Sequence, residues 1–101
     1  MDDPSPPIAC TLDEAALADR AGAWRQVIAV GLRDRIQTAD GMELRFDPAV
    51  EDAVRQLVAL EADCCAWFEG HVTRVGDTVA VVLRAFSVDG RDVLRAMFAA
   101  P

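Results

Sequence analysis

Apolar residues recur along this chain with two different periods, and the switches between them outline the fold. Leu17, Ala21, Trp24, Val27 and Ile28 fall at offsets of three and four, the stripe of an amphipathic helix. Thr11 and Glu14 form a T-x-x-E capping box, which makes Thr11 the expected N-cap and sets Cys10 just outside the helix. The helix is expected to reach about Val30, with Gly31 as its stop, and "IACTL" predicts a short strand running into it. In "RIQTADGMELRF" the period changes to two: Met42, Leu44 and Phe46 alternate with charged residues, and Asp40-Gly41 offers the positive φ angles of a tight hairpin turn.

Asp47-Pro48 then opens a second helix, with Asp as N-cap and Pro at the first helical position. Its apolar period carries to about Phe68, with an end near Gly70. "HVTRVGDTVAVVLRAF" reads as a second hairpin turning at Gly76-Asp77. Its later strand is the most apolar stretch of the chain and is expected at the centre of the sheet. A last helix from about Asp89 turns Val93, Leu94, Met97 and Phe98 inward. The order βαββαββα defines an α+β fold, a layer of helices on a largely antiparallel sheet, with two βαβ-like halves that suggest pseudo-symmetry.

Composition narrows the classes of function. The 101 residues fit one domain over 8–101, preceded by a Pro-rich acidic arm, "MDDPSPP" at 1–7, expected to be mobile. A net charge of −7 lacks the clustered cations that nucleic acid or an anionic membrane surface would need. No run approaches the roughly 20 apolar residues of a membrane span, and the N-terminus has no basic segment followed by an apolar one. Three cysteines, an odd number, read as free thiols in a reducing cytoplasm. Neither a phosphate-cradling glycine loop nor a G-x-S-x-G or H-E-x-x-H motif occurs, so no organic cofactor is expected and an enzyme is the less favoured class.

Chemistry concentrates in "LEADCCAWFEGH", residues 60–71. On a 3.6-residue period Val54, Leu57, Val58, Glu61, Cys64, Cys65 and Phe68 share one helix face. Glu61 is thus a carboxylate on a stripe that faces the core, where it is costly unless paired. Arg20, three residues after Leu17 and four before Trp24, is the expected partner, with its guanidinium against the Trp24 ring. The competing reading is a partly exposed glutamate that reaches water.

Adjacent helical cysteines point about 100° apart, so Cys64 and Cys65 do not readily share one metal unless the helix frays near them or a third thiol joins. Cys10 is the one remaining thiol, and the adjoining helix N-terminus favours its thiolate. Two or three thiolates beside Glu61 would suit Hg(II), As(III), Cu(I) or Zn(II). Against this stands the tendency of free cysteine to serve as a small core hydrophobe. A Cys–His dyad with His71 would need the chain to fold back at Gly70; the simpler expectation starts a strand there, with His71 exposed. Trp67 lies off the helix stripe and is expected at an edge contact or dimer interface.

"CTL" at 10–12, a Trp in the following helix, "LRF" at 44–46, "LEADCCAWF" at 60–68 and the terminal "LRAMF" resemble a group of small uncharacterised bacterial proteins. A CTL…LRF…E-x-x-CC-x-F series recurs in that group, often encoded near MerR-type heavy-metal regulators. The resemblance spans Cys10 to Phe98 and singles out Cys10, Glu61, Cys64, Cys65 and Phe68. Trp67 stands where the pattern has Phe, and Ala66 where Pro is frequent. The thiol cluster, with the resemblance added to it, gives the expected function: a cytoplasmic thiol-based binder of a soft metal or metalloid, accessory to metal handling or resistance. Cys10, Cys64 and Cys65 would be its ligands and Glu61 would orient the site, with Arg20 and the Trp24 ring, placed by helix spacing, holding Glu61. The alternatives are a protein-interaction or homodimerisation module with core cysteines, and a small thiol redox enzyme.

Overall fold

The structure is a computed structural model that describes residues 14–64 and 66–98. Its elements follow the order α1 (Glu14–Gly31), β1 (Leu32–Gln37), β2 (Gly41–Phe46), a 3-10 turn (Pro48–Val50), α2 (Glu51–Cys64), β3 (Phe68–Val75), β4 (Thr78–Ala85) and α3 (Val88–Met97). The strands form one antiparallel sheet in the order β1-β2-β4-β3, so the most apolar strand is central. The fold is α+β, with the helices on one face of the sheet. The arm at 1–7, the strand expected in "IACTL" and the Thr11 cap lie outside the described residues.

Alternation along β2 and β4 builds the floor of the core. Met42, Leu44 and Phe46 are buried, as are Val79, Val81 and Leu83 on the neighbouring strand, where Leu44 pairs with Val81. Trp24 and Val27 of α1, Val54, Leu57 and Val58 of α2, and Leu94 with Phe98 at the end of α3 close over them. The described repeat is therefore helix-hairpin, helix-hairpin, with β2 and β4 antiparallel at the junction, rather than two βαβ units.

Asp47 caps as the sequence predicts: its Oδ1 accepts from the Ala49 N–H at 2.8 Å, with Pro48 at the first position. The turn it caps is 3-10 and passes into α2 at Glu51. Three expectations need correction. Ala21 is exposed, because Arg20, Trp24 and Val27 take the contact line of α1 and Ala21 lies about 100° round from Arg20. In α3, Gly90, Leu94 and Phe98 form the buried line at a spacing of four, which leaves Val93 and Met97 on its exposed flanks. The third concerns Gly41, which has no positive φ. Its hydrogen is required because a Cβ there would lie 2.1 Å from the Leu83 carbonyl oxygen. The positive φ falls at Gly76 (60°), at the head of the Gly76-Asp77 turn.

Candidate functional site

α1 and α2 meet at a carboxylate. Glu61 continues the α2 stripe of Val54, Leu57 and Val58 and is 6% exposed, so its burial follows from the periodicity that places it there. Arg20 Nη1 donates to Glu61 Oε1 at 2.6 Å. Trp24 Nε1 donates to Glu61 Oε2 at 3.2 Å. Arg20 and Trp24 are one turn apart on α1, so a single helix face supplies a donor to each oxygen. The predicted ion pair is present. Trp24 joins it as a hydrogen-bond donor, a role the sequence reading did not assign; an indole near a buried carboxylate is itself the signal, since a buried indole N–H needs an acceptor.

The other edge of Trp24 is apolar. Its ring meets Phe98 edge-on, with centroids 5.2 Å apart and planes at 84°, which ties the carboxylate cluster to the end of α3. Side-chain exposures of 14% for Arg20 and 8% for Glu61 leave the pair little water. Removing one partner from such a pair typically costs about 3–5 kcal/mol, because the other charge stays buried without compensation.

α2 ends at Cys64, one turn beyond Glu61, and not at Phe68. A turn at Ala66-Trp67 follows, and Phe68 opens β3 opposite Ala85. Trp67 is 4% exposed, against the expectation of an interface position. Its ring packs on Phe68 with centroids 4.5 Å apart, and its six-membered ring is so close to Gly90 that a Cβ there would lie 3.3 Å from it. The periodicity that seemed to leave Trp67 outside belongs to a helix that has already stopped. Gly70 is a strand residue pressed against Val58 and Leu83, where a Cβ would meet them at 3.0 and 3.1 Å. His71 points away from the helices, since its neighbour Val72 packs on the core. It is exposed and lies 3.4 Å from Glu69.

Of the expected ligands, Cys10 and Cys65 lie outside the described residues, and Cys64 is described only as the last residue of α2. Among the described residues, no group of three or more His, Cys, Asp or Glu side chains could hold a metal ion. What the described part supplies is a carboxylate held at both oxygens, three residues before Cys64 at the end of α2.

Two further carboxylates are shifted on the surface. The Ala49 N–H, and then Arg33 at 2.9 Å, hold the Asp47 carboxyl below its ordinary range. The hydrogen bond from Arg55 lowers Glu51 likewise, against an opposing effect of burial, and Arg74 adds to the lowering. Asp47 caps the 3-10 turn that leads into α2, and Glu51 is the first residue of α2.

Comparison with family models, with curated proteins and with solved structures finds no match. No described helix is long and apolar enough to cross a membrane.

Proposed function

We propose that this chain is a cytoplasmic thiol-based binder of soft metal or metalloid ions, accessory to metal handling or resistance. Cys10, Cys64 and Cys65 supply the ligands. One observation carries the reading: a buried glutamate, held at both oxygens by Arg20 and Trp24, sits one turn before the cysteine pair. A carboxylate on a core stripe costs stability that an apolar residue would not, and a use for it explains its presence. Soft thiolate ligands select Hg(II), As(III), Cu(I) or Zn(II), and the short motifs shared with proteins encoded near heavy-metal regulators point the same way.

Thiol counting tests this. Under reducing conditions an alkylating reagent should modify Cys64 readily, and prior addition of As(III) or Hg(II) should protect it. Glu61→Gln should slow the labelling, compared under conditions where circular dichroism shows that variant folded. Labelling that is equally fast with and without the ions would reject the proposal.

The second reading, an interaction or dimerisation module, has its own support in apolar side chains left at the surface. Phe86 and Val88 are 48% and 63% exposed beside the start of α3. A dimer through this patch would be weakened by Phe86→Asp, read by sedimentation, with the cysteines inert to the same reagent.

A further inference from the structure

We infer that the groove between α1, β1 and α3 is a binding site for a small amphipathic carboxylate, a use separate from the thiol chemistry. All ten basic residues of this acidic chain are arginines. Eight of them have oxygen acceptors. Arg20 pairs with Glu61, Arg33 with Asp47, Arg45 with Glu43, Arg55 and Arg74 with Glu51, Arg84 with Glu69 and Arg91 with Asp92. Arg95 donates to the carbonyls of Thr38 and Gly41. The guanidinium groups of Arg25 and Arg35 have no acceptor among the described residues, and both line the same groove.

The rest of that groove is apolar. Ile28, Ala29 and Leu32 form one side and Met97 with Phe98 the other, around an open volume of about 640 Å³. That volume lies in the range of small-molecule sites, which commonly combine apolar walls with a few convergent polar groups. Arg35 makes the case specific. It pairs across the sheet with the fully buried Leu44, so it occupies the core-facing side of edge strand β1. Its Nε is buried and has no hydrogen-bond partner among the described residues, so the guanidinium is held at the groove without a protein anion there to neutralise it. Two cations at an apolar groove, on a protein of net charge −7, complement a ligand with an anionic head and a hydrocarbon body. Half-exposed Met97 adds an adaptable wall, suited to chains of varied shape.

Octanoate is the probe and 1-octanol its neutral control, with calorimetry for affinity and amide NMR shifts for location. Octanoate should shift the amides of Ile28, Leu32 and Met97, and bind more tightly than octanol. Arg25→Gln or Arg35→Gln should weaken octanoate by about tenfold or more and leave octanol binding unchanged. Circular dichroism would verify that both variants fold. The inference is overturned if octanoate leaves these amides unmoved up to about 10 mM, where even a site of about 1 mM Kd would be mostly filled. It is equally overturned if octanol binds as well as octanoate, or if the substitutions do not matter. Loss of solubility in Arg35→Gln with no octanoate binding to the parent would show instead that Arg35 only guards the β1 edge against pairing.

Discussion

Arg20 and Arg25 stand little more than a turn apart on α1 and lead opposite lives. Arg20 reaches Glu61 in a site nearly closed to water, where Trp24 takes the second carboxylate oxygen. Arg25 borders an apolar groove with Arg35 and finds no carboxylate there among the described residues. The difference teaches where the chain has committed its charge. At the α1–α2 contact a cation and an anion are matched inside the protein. At the α1–β1–α3 groove no acidic residue stands among the described lining residues to match Arg25 and Arg35.

The comparison breaks most sharply under mutation of the closed site. Glu61→Ala should destabilise the domain by about 3–5 kcal/mol in urea unfolding, since Arg20 and the Trp24 N–H both lose their acceptor. Replacing the pair together, Arg20→Met with Glu61→Leu, should recover most of that loss, because buried ion pairs often exchange for apolar groups at little cost. A double variant as unstable as Glu61→Ala would mean that the carboxylate is needed for folding beyond its pairing. Trp24→Phe keeps the apolar edge against Phe98 and removes one donor to a charged acceptor, so about 1.5–3 kcal/mol is expected. Arg25→Gln should change stability by no more than about 0.5 kcal/mol, the usual range of surface substitutions. A loss comparable to that of Trp24→Phe would place Arg25 in a structural pair and erase the contrast.

The smallest expected effect is the pH dependence at the start of α2. Asp47 and Glu51 have folded-state pKa values below their ordinary ones, so both contribute stability above the unfolded carboxylate range. That contribution is lost as pH falls through their depressed values. Asp47→Asn should therefore flatten the acid limb of the stability curve and leave its neutral plateau similar in shape. An unchanged acid limb would remove the Asp47 cap from the forces that hold the 3-10 turn before α2.

Much of this was legible in the chain itself. Periodicity placed Glu61 on the buried stripe and Arg20 opposite it, and Asp47-Pro48 marked the start of the following helical segment, because these signals are local. The centrality of β4 followed from its continuous apolar run, which suits a strand paired on both sides. Other features depended on distant partners. Phe68 falls seven residues after Glu61 and so keeps the helical beat, yet the chain has turned at Ala66-Trp67 and spends Phe68 on a strand. Gly41 resembled a turn glycine next to Asp40, whereas the demand on it comes from Leu83 across the sheet. Trp24 as a donor, and Arg35 on the inward side of β1, likewise required the packing of one element on another.

The proposal that Glu61 serves a metal-binding thiol pair is tested most directly by native mass spectrometry of the reduced protein with As(III), Hg(II), Cu(I) and Zn(II). One tightly held soft ion per chain is expected, lost in Cys64→Ser and bound more weakly in folded Glu61→Gln. A spectrum in which none of the ions adds beyond the level of a variant lacking all three cysteines would contradict it.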